Sequence, residues 1–303
     1  MQKTYNMKLI LTMLLAAGIV NTSVANLFSK ADYESSLQTQ ELMGATLTIL
    51  EQDGMWMKVE CSQPYSGWVP ALSVVTMDMD GLSQWTAAAK YIVTAPTGAV
   101  YGKNDGKSDV ICDLVAGDLL KQVQNRGKAL ARSGFAAVEL PDGRQGWVNA
   151  KSLEDYDKWT QQNKKLTPEK KVEKAIAWAE KMKGIPYMWG GISTKGFDCS
   201  GLVLFCYRMA GVKVPRDASQ QYKAGKDVQF HKYPDGTYNL TKLKRGDLVF
   251  FGNFLRVTHV GIYLGDEKFI QSSHLVRVNS LNKNYGDCYE NTDKIVKVCR
   301  IVE

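Results

Sequence analysis

A cysteine at the start of a predicted helix is the residue best placed for chemistry. Cys199 follows a glycine-containing loop and precedes an apolar run that ends near Met209. Asp198 is a good N-cap, so we predict that the helix begins at Cys199. The unpaired N–H groups and the helix dipole favour a thiolate there, the form that attacks carbonyl carbon. We therefore predict a nucleophile at Cys199 and a buried core thiol at Cys206.

A histidine at the entrance of a predicted strand supplies the candidate base. His259 begins the strand that ends at Leu264, and histidine is the usual partner of a cysteine nucleophile. A third residue must accept a hydrogen bond from the imidazole and orient it. If a simple hairpin pairs Leu264 with Phe269, His274 lies opposite His259 on the same face. His231, in a polar stretch, is predicted to lie on the surface.

The other cysteines indicate no metal site. The sequence has six, and removal of a nucleophile leaves an odd number. A Cys288–Cys299 disulfide is conceivable after export, although the sequence does not decide it. Neither Cys-x-x-Cys nor His-x-x-x-His spacing occurs, so we expect no zinc and no cofactor.

The elements around these residues predict an α+β domain over residues 167–303. Thr167-Pro168 reads as an N-cap followed by proline at the first helical position. Apolar residues recur at helical spacing to Met182, and the helix of Cys199 comes next. Helices first and an antiparallel sheet afterwards are typical of the α+β class. The predicted strands are Leu248–Phe251, His259–Leu264, Phe269–Ser272 and Lys294–Val298.

Upstream, short alternating runs predict two small all-β barrels. The tripeptide Gly-Trp-Val occurs near the end of the first barrel, at Gly67-Trp68-Val69. It is repeated near the end of the second barrel, at Gly146-Trp147-Val148. An internal repeat of this length indicates two copies of one domain, at residues 26–82 and 83–156. A helix-favouring segment between Gly81 and Lys90 joins them. The polar stretch 157–166 is predicted to be a linker.

The first 25 residues read as a secretory signal peptide. Lys3 and Lys8 precede an apolar run that is too short to span a bilayer comfortably, and cleavage is expected after Ala25. We therefore expect export, to the periplasm or to the extracellular side of the cell envelope, without a membrane anchor after cleavage. The net charge of +7 agrees with binding to an anionic cell wall, and it agrees equally with a basic surface that has no binding role. Without an arginine-rich, aromatic-interleaved cluster, nucleic acid is not an expected partner.

Five motifs follow one another in the C-terminal part of the chain. They are Tyr187-Met188-Trp189-Gly190-Gly191, Phe197-Asp198-Cys199-Ser200-Gly201, Pro215-Arg216-Asp217-Ala218, Arg245-Gly246-Asp247-Leu248-Val249-Phe250-Phe251 and Thr258-His259-Val260-Gly261-Ile262-Tyr263-Leu264-Gly265. In these motifs the chain resembles the NlpC-type cell-wall cysteine peptidases of the papain-like group, from about Lys170 to the C-terminus, and its upstream segments resemble bacterial SH3-like domains. Such domains precede the catalytic domain in part of this family and help to cut peptidoglycan stem peptides between γ-D-Glu and the diamino acid.

The resemblance implies roles for the catalytic residues. It implies Cys199 as nucleophile, His259 as the base that takes the thiol proton or holds it as an ion pair, and a polar third residue at Gln271. The family more often has histidine at that position. Gln271 conflicts with the hairpin count, which favours His274 unless a bulge intervenes. The resemblance also implies that Tyr187 helps to hold the oxyanion, although a core aromatic is the plainer interpretation.

The resemblance further implies a pocket for a free amine. In dipeptide-releasing members, the aspartate that matches Asp198 receives the amine of the stem-peptide L-Ala, and Tyr65 resembles the aromatic that the first SH3-like domain contributes. Ser200, beside the nucleophile, is the other candidate binding residue. Tyr65 could equally be a plain surface residue. For Arg216-Asp217 an ion pair that shapes the loop is favoured over a substrate contact.

The sequence therefore predicts a monomeric, secreted cysteine peptidase whose substrate is a peptidoglycan stem peptide or murein fragment. Two alternatives stay open. One is a wall-binding protein whose SH3-like domains carry the function, although an intact Cys–His pair argues against it. The other is an amidase or acyltransferase on the same fold, which sequence separates from a peptidase only by analogy.

Overall fold

Two β-barrels of equal size form the N-terminal part of the molecule. The structure is a computed structural model, and it describes residues 16–61, 65–123, 134–253 and 255–303. The strands of the first barrel are β1 (Ala16–Val20), β2 (Val24–Phe28), β3 (Leu37–Leu42), β4 (Thr46–Asp53), β5 (Trp56–Cys61), β6 (Ser66–Pro70) and β7 (Val74–Met77). They hydrogen-bond in the order β3-β2-β6-β5-β4-β1-β7.

The second barrel repeats the first strand for strand. Its order is β10-β9-β13-β12-β11-β8-β14, which is the first order with seven added to every number. The predicted duplication is thus confirmed, since two unrelated barrels would not share this permuted order. Its strands are β8 (Lys90–Val93), β9 (Thr97–Tyr101), β10 (Val110–Val115), β11 (Leu119–Gln122), β12 (Phe135–Glu139), β13 (Gln145–Asn149) and β14 (Leu153–Asp155).

The N-terminal boundary differs from the prediction. Residues 1–15, which hold most of the predicted signal peptide, lie outside the described residues. Strand β1 pairs with both β4 and β7, and Val20 is fully buried in the barrel core. Cleavage after Ala25 would remove β1 and divide β2. The first domain therefore includes residues 16–25, which the predicted boundary at residue 26 leaves out.

In the described part of the chain, five α-helices connect the barrels to each other and contribute to the C-terminal domain. They are α1 (Met79–Ala87), α2 (Tyr156–Lys164), α3 (Pro168–Lys181), α4 (Cys199–Met209) and α5 (Ala218–Ala224). The stretch predicted as a linker is helix α2, because Asp155 caps it through the N–H of Lys158 and Trp159 is buried. Three-residue 3₁₀ turns lie at Ala71–Ser73, Ala150–Ser152 and Thr292–Lys294.

A six-stranded antiparallel sheet completes the α+β domain. Its order is β17-β24-β20-β21-β22-β23, and the four predicted strands correspond to β20, β21, β22 and β24. Strand β23 was not predicted. The strands of this domain are β15 (Ile192–Ser193), β16 (Gly196–Phe197), β17 (Lys226–Asp227), β18 (His231–Lys232), β19 (Tyr238–Asn239), β20 (Leu248–Gly252), β21 (Val257–Gly265), β22 (Lys268–Ser273), β23 (Leu275–Ser280) and β24 (Ile295–Arg300).

Both faces of the sheet are buried, which explains its continuous apolar runs. Leu248 and Phe250 point to the face covered by α3 and α4, whereas Val249 and Phe251 point to a second cluster that contains Tyr289. The first face carries the nucleophile helix on a rigid platform. Within the described residues, no helix has the length and apolar character needed to cross a bilayer.

Candidate active site

The nucleophile lies at the first position of a tightly held helix. Asp198 is the N-cap of α4 and accepts the N–H of Gly201 at 2.6 Å. The loop that contains Gly191 passes directly over this turn, because a Cβ atom at Gly201 would lie 1.9 Å from the Gly191 carbonyl oxygen. Only glycine fits there, and this contact fixes Cys199 against the preceding loop.

The ionisation of this thiol differs from the prediction. Burial, and then the negative charge of Asp198, raises the pKa of Cys199 to about 12. The N–H groups of Val260 and Ser200 donate to the sulfur and lower its pKa, but burial outweighs them. The thiolate expected at the helix start is therefore not the resting form, and the thiol must lose its proton during the reaction.

The histidine is held in a buried, neutral state by its neighbours. His259, on β21, is 8% exposed, and the rings of Phe251 and Tyr289 lie 5.8 and 5.4 Å from its imidazole. Burial lowers the pKa of His259 to about 4, although the hydrogen bond to Gln271 and the charge of Asp198 act in the opposite direction. A neutral thiol with a neutral imidazole favours proton transfer to His259 over a preformed ion pair.

The structure brings Gln271, not His274, to the histidine. The Oε1 atom of Gln271 forms a hydrogen bond with Nε2 of His259. A bulge at Leu264 shifts the hairpin by one residue, so that Phe269 pairs with Tyr263 and the simple count fails. His274 is exposed in a turn with φ of 61°, which excludes it as the orienting residue.

Tyr187 lines the cavity of the nucleophile, and its role as an oxyanion donor stays a prediction. Its side chain is half-buried and lines the same cavity as Cys199. Burial, and then the negative charge that Cys199 acquires, raises the pKa of Tyr187 to about 12, so its hydroxyl keeps its proton. A protonated hydroxyl beside the nucleophile can donate to an oxyanion that develops there.

The Asp198 carboxylate is occupied by hydrogen bonds from groups within the protein. This contradicts its predicted role as the acceptor for the substrate amine. Arg216 forms a buried salt bridge with it, at 2.5 and 3.1 Å, and the N–H of Gly190 donates at 3.0 Å. Ser200 is also occupied, because its hydroxyl donates to Asp198 and accepts from Arg216. These residues shape the cavity wall and hold the nucleophile helix. The sequence favoured an ion pair between Arg216 and Asp217. In the structure Arg216 instead pairs with Asp198.

The tyrosine of the first barrel reaches the site, but its partner is Asp217. The Tyr65 hydroxyl donates to the Asp217 carboxylate across 152 residues of sequence. Asp217 lines a cavity of about 510 Å³ that Cys199 and Tyr187 also line. In the described part of the chain Asp217 forms no salt bridge, whereas Asp198 is neutralised by Arg216. The carboxylate available to a ligand is thus Asp217, which sequence reasoning had treated as structural.

Both barrels hold the loops of the site in place. Thr39 accepts from Nε of Arg216 at 2.9 Å, and Gln40 accepts from the N–H of Ile192 at 3.0 Å. From the second barrel, the Pro96 carbonyl accepts from Thr194 at 2.7 Å. Sequence reasoning missed these contacts, because no local pattern marks a strand residue whose partner lies more than 90 positions away.

The two C-terminal cysteines do not pair with each other. The Cys288 sulfur contacts Thr292, and the Cys299 sulfur contacts the Gln221 carbonyl. The conceivable disulfide is therefore not formed in this structure.

Residues 184–292, which contain Cys199, His259 and Gln271, match the model of the NlpC/P60 family. The α+β domain of this chain is an NlpC/P60 domain. It is accordingly a cysteine peptidase, and residues 27–73 match the SH3 domain of bacterial dipeptidyl-peptidases. The family assignment covers the α+β domain, and the SH3 match covers most of the first barrel.

Two curated relatives match most of the length of this chain. The chain is 29% identical to a γ-D-glutamyl-L-lysine dipeptidyl-peptidase of Bacillus cereus, over 80% of this chain and 69% of the relative. It is 26% identical to dipeptidyl-peptidase 6 of Lysinibacillus sphaericus, over 88% and 92%. A crystal structure of an NlpC/P60 protein from Bacillus cereus superposes with a TM-score of 0.74 at 22% identity, covering 95% and 100% of the two chains.

Proposed function

We propose that this peptidase hydrolyses the bond between γ-D-Glu and the diamino acid of peptidoglycan stem peptides whose N-terminal L-Ala is free. The observation that carries the proposal is the Asp217 carboxylate, which lines the cavity of Cys199 and accepts a hydrogen bond from Tyr65. An ammonium group that leaves water needs an anion and hydrogen-bond acceptors, and Asp217 supplies both. The activity named for the Bacillus cereus relative, a γ-D-glutamyl-L-lysine dipeptidyl-peptidase, agrees with this substrate class.

The geometry supports a thioester mechanism. As Cys199 Sγ attacks the γ-glutamyl carbonyl, its proton passes to the imidazole of His259. The oxyanion receives hydrogen bonds from the Cys199 N–H and the Tyr187 hydroxyl. The amine of the diamino acid leaves with the proton from His259. Water, deprotonated by the same imidazole, then cleaves the thioester and releases L-Ala-γ-D-Glu.

The amine pocket would restrict the enzyme to fragments. In an intact wall the L-Ala nitrogen forms an amide with muramic acid, so it carries no charge and has a bulky substituent. Such a group has no charge to pair with Asp217. This preference fits wall recycling or turnover better than cleavage of assembled wall.

We also propose that the chain is exported to the periplasm or beyond it. The support is the apolar run that begins directly after Lys8, together with the location of wall fragments.

The test compares two peptides by mass spectrometry. One is the free L-Ala-γ-D-Glu-diamino acid tripeptide, and the other has its amine blocked by muramic acid. Wild-type protein should release L-Ala-γ-D-Glu from the free peptide alone, and Cys199→Ala should release nothing. Cleavage of both peptides would support the peptidase activity but contradict a pocket for the free amine. Cleavage of neither would contradict the proposal.

A further inference from the structure

A hydrogen-bonded chain extends beyond the catalytic histidine and ends on the backbone. Gln271 Nε2 donates to Oδ1 of Asn279 at 2.9 Å, and Asn279 Nδ2 donates to the Asp287 carbonyl at 2.8 Å. Gln271 is fully buried and Asn279 is 7% exposed, so water does not replace these contacts. The chain therefore runs from His259 through two side-chain amides to one carbonyl oxygen.

The Asp287 carbonyl fixes which groups donate and which accept along this series of hydrogen bonds. A carbonyl oxygen only accepts, so Asn279 must present its nitrogen to Asp287 and its oxygen to Gln271. Gln271 must then present its nitrogen to Asn279 and its oxygen to His259. The carbonyl itself cannot turn away, because it also accepts the N–H of Ser280 at 3.1 Å.

We propose that Asn279 is a positioning residue, which sets the direction of the Gln271 amide and thereby keeps the proton of His259 on Nε2. An amide, unlike a carboxylate, can turn either its oxygen or its nitrogen toward the imidazole. If the nitrogen faced Nε2, the proton would move to Nδ1. The nitrogen that must accept the thiol proton would then already carry one.

The inference rests on the proposed proton transfer from Cys199 to His259 only for its kinetic consequence. In that step the S–H bond breaks, the Nδ1–H bond forms, and the sulfur electron pair attacks the carbonyl carbon. An imidazole with its proton on Nδ1 cannot perform this step. The tautomer itself is a property of the resting protein, so it can be measured without any substrate.

The first experiment is a long-range ¹H–¹⁵N spectrum of the histidine rings near pH 7. The chain has three histidines, and His231 and His274 are exposed, which separates their signals from His259. Wild-type protein should show His259 with its proton on Nε2. Asn279→Leu should move a large part of the population to Nδ1–H. His259 unchanged in that variant would overturn the proposal.

The second experiment is kinetic and contains its own rescue. Asn279→Leu should lower kcat about tenfold, the effect of losing roughly one hydrogen bond, with KM changed less than about twofold. Asn279→Asp should retain activity, because burial protonates the new carboxyl and a protonated carboxyl still accepts from Gln271 and donates to Asp287. Asn282→Leu is the matched control, since Asn282 donates to Glu267 and has no link to His259.

The decisive comparison uses Gln271→Glu as background. Unlike a carboxyl at position 279, one at position 271 lies against the imidazole of His259, which favours its ionised form. The resulting carboxylate offers oxygen to His259 in either orientation, so Asn279 has nothing left to direct. In this background Asn279→Leu should change kcat by less than about twofold. An equal loss in both backgrounds would mean that Asn279 only supports the fold, and the proposal would be wrong. Absence of cleavage in every variant, with a normal Nε2–H signal, would instead contradict the proposed function.

Discussion

Replacing Thr39 by valine should weaken the active site from a different domain. Thr39 lies on β3 of the first barrel, and its hydroxyl is the acceptor for Nε of the buried Arg216. Both side chains are 3% exposed, so water does not replace the lost partner. Valine keeps the branched shape and removes only the hydroxyl.

The magnitude follows from the charge on the donor. A hydrogen bond to a charged group contributes about 1.5–3 kcal/mol, and a buried donor left without an acceptor costs about 1–3 kcal/mol. We expect Thr39→Val to reduce the free energy of unfolding by about 2 kcal/mol. The Arg216–Asp198 salt bridge remains, so kcat should fall less than about tenfold, which is about 1.4 kcal/mol.

The assay is urea denaturation monitored by tryptophan fluorescence, together with cleavage kinetics. Thr46→Val, an exposed position on β4, is the control and should stay within about 0.5 kcal/mol of wild type. Arg216→Lys removes the Nε–H group, so Thr39→Val should cost little in that background. If Thr39→Val is as stable as the control in the wild-type background, the barrel does not support the catalytic loop in the manner described.

Three further predictions concern the site itself. Because the pKa of His259 is lowered from 6.5 to about 4, the unfolded state binds the proton first, and stability should fall by roughly 3 kcal/mol from pH 7 to pH 4. Urea titrations should show this fall in wild type and not in His259→Gln. Tyr187→Phe should lower kcat about a hundredfold at nearly constant KM in steady-state assays, as for a lost oxyanion donor. Arg216→Met should destabilise by about 3–5 kcal/mol in calorimetry, because Asp198 stays buried without its partner, and Asp198→Asn should recover part of the loss.

The repeated barrels could be predicted because each carries its own local signal. The Gly-Trp-Val echo marks the same strand, β6 in one copy and β13 in the other. Helix α2 was missed since its sequence is mostly polar, and only the fold shows that its tryptophan, Trp159, is buried. The start of the first barrel was missed because an apolar strand and the apolar core of a signal peptide have the same composition.

The parts of the site that lie in one continuous stretch of sequence could be predicted. The parts that depend on strand register or on contacts between distant residues could not. Cys199 with its cap Asp198 is one continuous stretch, and the structure places it as expected. The choice between Gln271 and His274 depended on a one-residue bulge that no composition reveals. The partner of Tyr65 could not be chosen from sequence, because two aspartates were available and only the fold shows that Arg216 occupies the other.

The measurement that tests the central claim most directly is the selectivity for a free amine. It is the ratio of kcat/KM for the free tripeptide to kcat/KM for its N-acetylated form, in wild type and in Asp217→Asn. Our account predicts a large ratio in wild type, and a fall of at least tenfold in Asp217→Asn because the charged acceptor is lost. The same ratio in both proteins would contradict it, since the Tyr65–Asp217 pair would then not bind the substrate amine.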